Sequence, residues 1–265
     1  MANEVSGFSE AELGRFETFR IIVERLRGEG GCPWDRRQTH ESLKKYLVEE
    51  SYEVLEAIDQ GDLPALSEEL GDLWLQIMLH SQIARESGEF SLEDVLRCIN
   101  TKLIMRHPHV FGDTKINDAE EASLSWQEIK GREKDRSQSL LAGIPGSLPA
   151  LAYSQTVGSR VAAIGFDWEN AEDVLDKLVE EIGELKNAAT PEEKAHEFGD
   201  VLLVLSSVAR RMDVDLESAL RQANARFTRR FQYIEGYCLD RGLDLKGMTL
   251  SEMDAIWDEA KRDVG

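Results

Sequence analysis

The chain has 265 residues, with 51 acidic and 31 basic side chains and a formal net charge of −20, which is enough length for one large or two small domains with a buried core. Apolar residues make up 42% and charged residues 31%, too apolar a mixture for a disordered acidic tail. The acidic balance argues against duplex nucleic acid and an anionic membrane as partners, since both are held by clustered Lys and Arg, but a small phosphate-bearing substrate can still be bound through metal ions and a few local cations.

The longest apolar run, residues 201–209, contains two serines and is far short of the ~20 residues that span a bilayer. Residues 1–9 include Asn3 and Glu4 and no apolar leader stretch. Cys32, Cys98 and Cys238 are odd in number, lack CxxC spacing and read as reduced thiols, so a cytoplasmic location is expected.

Helical periodicity runs through the chain, and no alternating β-branched run bounded by turns predicts a strand. Leu13, Phe16, Phe19, Ile22, Val23 and Leu26 predict a first helix, stopped by Gly28, Gly30 and Gly31. A second helix is predicted over about 41–58, ending at Gly61. Asp62 caps a third, with Pro64 in its first turn, reaching to about Glu86. Ser91 caps a fourth through Leu92, Val95, Leu96, Ile99 and Leu103, which breaks before Pro108, and a shorter helix is expected around 123–136. The Gly/Pro cluster at 141–149 marks a linker. Beyond it, helices are predicted over 152–164, from Asn170 to Lys186, and from the capping box Thr190-Pro191-Glu192-Glu193 to Met212. Two more follow, from Asp215 to about Leu239 and over 251–262. The fold class expected is all-α, with tandem helical-bundle domains at 1–138 and 151–265 joined by the linker 139–150.

The second half repeats the first. Trp34-Asp35 is answered by Trp168-Glu169, and Glu49-Glu50-x-x-Glu53 by Glu180-Glu181-x-x-Glu184. Glu69-x-x-Asp72 is answered by Glu197-x-x-Asp200, and Trp126-x-x-x-Lys130 by Trp257-x-x-x-Lys261. The offset stays within a few residues of about 130, the mark of a duplicated unit.

On a helix, residues three or four apart share a face, so Glu50 pairs with Glu53 and Glu69 with Asp72. A short loop makes the two helices antiparallel neighbours, and the four acids can converge; Glu181, Glu184, Glu197 and Asp200 repeat the arrangement. Clustered carboxylates repel one another unless protonated, solvated or metallated. Oxygen-only donors select Mg²⁺, Mn²⁺ or Ca²⁺, with Mg²⁺ the available default. A single EExxE is usually a solvated acidic face. Here both ExxD pairs run directly into apolar turns, Leu73-Trp74-Leu75 and residues 201–205, where an unpaired carboxylate is costly.

Lys102 and Arg106 in the first copy answer Arg226, Arg229 and Arg230 in the second. With Lys130 and Lys261, they read either as a clamp on phosphate oxygens or as charge ladders on a wet surface. Trp126 and Trp257 read either as base-stacking platforms or as core. His107-Pro108-His109 reads as a structural turn, and Glu193-x-x-His196 lacks the second copy that a di-iron site needs. The sequence contains no P-loop, GxGxxG, GxSxG or His-Asp dipeptide.

Cys32-Pro33-Trp34-Asp35, the stretch Gln38-Thr39-His40-Glu41-Ser42-Leu43, the EExxE and ExxD acids, residues 106–111 and Gly143-Ile144-Pro145 together resemble the MazG family of nucleoside triphosphate pyrophosphohydrolases, in its long two-domain form. The resemblance implies an all-α NTP pyrophosphatase fold and a homodimer. It implies Mg²⁺-dependent hydrolysis of nucleoside triphosphates, ribo and/or deoxy, to the monophosphate and pyrophosphate, with Mn²⁺ as a substitute metal. The role implied is housecleaning or nucleotide-pool regulation. Metal ligation is carried over to Glu50, Glu53, Glu69 and Asp72, and to Glu181, Glu184, Glu197 and Asp200. Activity is credited to the C-terminal copy, with substrate contacts at Lys177, Lys194, Arg226, Arg230, Trp257 and Lys261. On this reading water attacks the α-phosphorus, Mg²⁺ stabilises charge on the attacking and leaving oxygens, and Glu181 with Glu184 or Glu180 carries the catalysis, one of the latter two accepting the water proton. The second copy departs from CPWD, with Phe166-Asp167-Trp168-Glu169 in its place. The alternative is a catalytically silent nucleotide-sensing regulator that uses the same acidic pocket.

Overall fold

The computed structural model describes residues 4–5, 7–116, 118, 121–122, 125–126, 129 and 139–264. The chain divides into two compact units, Met1–Lys134 and Asp135–Gly265.

The first unit opens with a minimal antiparallel hairpin, β1 (Glu4–Val5) with β2 (Phe8–Ser9), which the absence of alternating β-branched runs did not predict. The single helix expected from Leu13 onward is two pieces, α1 (Glu10–Leu13) and α2 (Phe16–Arg27). Gly14 and an extended Arg15 separate them, so Leu13 belongs to the short preceding turn. A 3₁₀ turn at Asp35–Arg37 leads into α3 (His40–Gln60), where the Thr39 hydroxyl accepts the Ser42 backbone N–H. Gly61 ends α3 at φ 68°, a left-handed conformation that glycine adopts without strain. Asp62 at once caps α4 (Leu63–Ser87), accepting the Ala65 N–H. This two-residue turn sets α3 and α4 side by side, and α2 and α5 (Leu92–Arg106) pack against α4. Pro108 starts a short helix, α6 (Pro108–Phe111), with His107 at its N-cap, so the His-Pro-His stretch is a helix junction rather than the turn expected. The helix expected around 123–136 lies largely outside the described residues.

The core of this unit is Val23, Leu43, Met78, Leu79 and Leu92, flanked by Phe19, Tyr46, Leu75 and Ile83. Fully burying each large aliphatic side chain is worth about 1.5–3 kcal/mol.

The second unit contains α7 (Ala150–Ala162), α8 (Ala171–Asn187) and α9 (Pro191–Arg211). Asn170 caps α8, and Thr190 with Glu193 forms the expected capping box on α9, with Pro191 in its first turn. Asp215 caps α10 (Leu216–Arg241), and Thr249 caps α11 (Leu250–Asp263). Helix α9 packs on α8 and α7, and α10 packs on α11. Two buried clusters result, Val174 with Val204 and Val208, and Ile234 with Cys238 and Ile256. Leu70, Trp74 and Ile77 on α4, and Phe198, Leu202 and Leu203 on α9, remain exposed. Among the described residues no helix is long and apolar enough to cross a membrane.

Candidate active site

In the second unit, Glu181 and Glu184 project from α8 and Glu197 from α9, and one ligand oxygen of each lies within 4.8 Å of the others. Glu181 is only 6% exposed. Lys177, one turn back on α8, places Nζ 2.8 Å from Glu181 Oε1 and 2.9 Å from Glu180 Oε1, and these carboxylates raise the lysine pKa, Glu181 most. The Glu184 carboxyl is itself pushed above its ordinary value by the charge of Glu181, then by burial and by Glu197. Among the described residues, one ammonium therefore leaves the cluster short of positive charge. Asp200 sits beside it on α9, 3.0 Å from His196 Nδ1.

The first unit repeats the pattern with Glu50 and Glu53 from α3 and Glu69 from α4, again within 4.8 Å. Asp72 falls outside that three-donor group, although its charge acts on it. Burial chiefly raises the Glu50 carboxyl, followed by Asp72 and by Glu53, which also shares a hydrogen bond with it. Glu69 is raised in the same direction by burial, then by Glu53 and Asp72. Gln76, one turn beyond Asp72 and buried, donates Nε2 to Glu50 Oε1 at 3.4 Å, while its Oε1 is buried without a partner. Sequence reasoning missed Gln76, although its four-residue spacing from Asp72 puts it on the same face. The matching position in the second unit is Val204.

The candidate cations are distributed unevenly. Lys177 joins the acids directly. The Arg230 guanidinium lies 5.7 Å from the Trp257 ring centroid, and Arg106 lies 5.4 Å from Trp126, so the duplicated motif produces the same cation–aromatic pair twice. Phe227 adds a ring 5.1 Å from Trp257. Trp257 also packs, partly buried, against the Ile234 core. Lys261 forms the surface ladder, pairing with Asp258 at 2.9 Å. Lys194 and Arg226 are exposed and Lys102 is half-buried. Lys130 lies outside the described residues.

The turn ahead of each acidic helix pair is pinned differently. In the first unit Arg27 pairs with Glu86 at 2.7 Å and donates to the carbonyls of Asp35 and Gln38, holding the CPWD turn. In the second, Arg210 and Arg211 close on Asp167 at 2.6 and 3.3 Å. Sequence reasoning also missed the pairing of His40 with His80. Their Nδ1 atoms are 2.7 Å apart in rings 3° from parallel, and burial followed by His40 lowers the His80 pKa.

The MazG nucleotide pyrophosphohydrolase domain matches residues 38–111, and the phosphoribosyl-ATP pyrophosphohydrolase domain matches residues 154–227. Each match contains the acids of its unit. The chain is 44% identical over 247 residues to the nucleoside triphosphate pyrophosphohydrolase/pyrophosphatase MazG of Thermotoga maritima, covering 93% of this chain and 95% of that one. It is 39% identical over 258 residues to the nucleoside triphosphate pyrophosphohydrolase of Escherichia coli K12, covering 94% and 98%. A solved mazG-related protein from Thermotoga maritima aligns with 43% of this chain and 96% of its own, at 34% identity and a TM-score of 0.37. The chain belongs to the MazG family of nucleoside triphosphate pyrophosphohydrolases and is an enzyme of that class.

Proposed function

We propose that this chain hydrolyses nucleoside triphosphates, ribo or deoxy, to the monophosphate and pyrophosphate, with Mg²⁺ held in the second unit by Glu181, Glu184, Glu197 and Asp200. The observation that carries this reading is the convergence of Glu181, Glu184 and Glu197, one ligand oxygen of each within 4.8 Å of the others, where the charge of Glu181 raises the Glu184 carboxyl. The donors are hard oxygens, which suits Mg²⁺, and Mn²⁺ as its substitute. When bound, Mg²⁺ supplies charge stabilisation at the phosphoryl oxygens and favours ionisation of water.

The chain's own residues do the rest. Glu180 is exposed beside the cluster and, with Glu184, is placed to accept the water proton. Lys177 can exchange Glu180 for a phosphate oxygen without leaving the site. Arg226, Arg230 and Lys261 supply further positive charge for a triphosphate carrying close to four negative charges, and Lys194 adds to it from the start of α9. Trp257 offers an aromatic face to the base. In the first unit, Glu50, Glu53, Glu69 and Asp72 would hold a second metal site served by Lys102, Arg106, Trp126 and Lys130.

The same reading takes residues 1–138 and 151–265 as the two domains, joined by 139–150, and assigns a cytoplasmic housecleaning or nucleotide-pool role. A homodimer is supported by the exposed apolar side chains at matching places on α4 and α9. Chromatography of the products from ATP and dATP with excess Mg²⁺ tests the reaction. Monophosphate and pyrophosphate are expected, and nucleoside diphosphate with orthophosphate would contradict the bond assignment.

A further inference from the structure

Gln76 on α4 is 5% exposed and turns its amide to Glu50 across the α3–α4 interface, with Nε2 3.4 Å from Glu50 Oε1. Its Oε1 is buried and has no partner. His80, one turn further along α4, does not supply one. Its Nδ1 is taken up by His40, and its Nε2 is itself buried without a partner.

A carboxamide this deep with its acceptor unused is costly, and the fold does not require it. The second unit places Val204 at the same register, also buried and packed with Val174 and Val208. The inner carboxylates of the two units are accordingly served in different ways. Glu181 receives the ammonium of Lys177 from its own helix. In the first unit Tyr46 takes the lysine's place and packs on the core, so Glu50 receives a neutral N–H from the facing helix. Only the amide nitrogen has protons to give a carboxylate. That fixes the orientation of Gln76 and leaves a carbonyl-type oxygen beside the acids. Mg²⁺ held by carboxylates keeps several of its waters, and each such water is a donor in search of an acceptor. A neutral oxygen meets that need without adding to the repulsion among Glu50, Glu53 and Glu69.

We propose that Gln76 is a positioning residue of the N-terminal metal site: Nε2 holds Glu50 in place as a ligand, and Oε1 accepts a hydrogen bond from the hydration shell of the bound divalent cation. This role rests on the reading of the α3 and α4 acids as metal ligands. It also separates the two sites, since a neutral amide leaves the charge of the acids to the cation, whereas Lys177 competes for it.

The test is calorimetric titration of the full chain with Mg²⁺ in a Glu181→Gln/Glu184→Gln background, which leaves the N-terminal acids intact, paired with the Tm of the metal-free protein. Gln76→Met keeps the length of the side chain and removes both hydrogen-bonding atoms. Mg²⁺ affinity should fall about tenfold, while the metal-free Tm holds or rises because the orphaned oxygen is gone. Gln76→Val, which copies the second unit, should lose Mg²⁺ affinity to a similar extent and decides the question if Gln76→Met does not fold. A side chain that only fills the core would lower Tm and leave Mg²⁺ affinity alone. Unchanged Mg²⁺ affinity in these variants, or a loss in Gln76→Met matched by a drop in its metal-free Tm, overturns the role of Gln76 and leaves the carboxylate site standing. A background protein that binds no Mg²⁺, or binding that survives the addition of Glu50→Gln with Glu53→Gln, overturns both.

Discussion

Lys177 Nζ lies 2.8 Å from Glu181 Oε1, so among the described residues the one ammonium drawn into the acidic cluster sits on its most buried carboxylate. In the absence of metal this lysine offsets part of the repulsion among Glu180, Glu181 and Glu184. On the proposed function, metal and triphosphate would draw it toward phosphate. Lys177→Met should therefore move two measurements in opposite directions. Divalent-cation affinity should rise a few-fold by calorimetry, because a competing charge is gone. The KM for a triphosphate should rise roughly tenfold or more, the cost of about 1.5–3 kcal/mol for one charge-assisted hydrogen bond. A fall in both affinities would remove Lys177 from the phosphate site.

The fold was legible because each helix end is written in local chemistry. Asp62, Ser91, Asn170, Thr190 and Asp215 all cap the helices they were expected to cap. The α3–α4 and α8–α9 pairs follow from short connections, and those pairs bring the acids together. What stayed hidden was contact between residues distant in sequence with no shared periodicity. The His40–His80 pair joins positions forty residues apart, and Gln76 reads as one more polar residue in an apolar helix until Glu50 is placed beside it. Asp72 acts by charge on Glu50 and Glu69 without a place in their three-donor group, because a shared helical face fixes direction to within one turn and not the reach of a short side chain.

Metal binding should appear in stability before it appears in rate. The Glu50, Glu69 and Glu184 carboxyls are all raised, so the folded chain holds these protons more tightly than the unfolded one. Their stabilising contribution is full below the ordinary carboxylate range and is lost as pH rises through the raised values. At neutral pH the metal-free protein carries that deficit, and Mg²⁺ at a hundred times its Kd should add about 2.7 kcal/mol. Scanning calorimetry with and without Mg²⁺ checks this. Asp200→Ala should shrink the shift and lower activity about a hundredfold or more. An unchanged shift in that variant would take Asp200 out of the metal shell.

The His40–His80 pair gives the N-terminal unit an acid sensitivity of the opposite sign. The His80 pKa is depressed from 6.5, by burial and then by His40, so the unfolded chain protonates first. Stability should be unaffected well above that value and fall as pH drops below it. Between pH 7.5 and 5.5, His80→Gln should flatten the decline in Tm relative to the parent protein. Parallel slopes in the two proteins would show that the pair carries no such penalty.

Trp74 on α4 and Leu202 on α9 are 47% and 44% exposed, which is costly for large apolar side chains left in water. Light scattering at micromolar concentration should give the mass of a dimer. Trp74→Glu with Leu202→Glu should shift it toward 29.9 kDa, the mass of one chain. A wild-type mass of one chain would show that these stripes are not a self-interface.

The division of labour between the units is tested most directly by steady-state pyrophosphate release from one triphosphate, with excess Mg²⁺, in two double variants. The second unit has the buried Glu181, the ammonium of Lys177 and the denser set of arginines at Arg226, Arg229 and Arg230. Glu181→Gln with Glu184→Gln should therefore abolish most of the activity, whereas Glu50→Gln with Glu53→Gln should leave a substantial part. The reverse ranking would move the principal active site to the N-terminal unit, and full activity in both double variants would contradict the acidic clusters as the seat of the reaction.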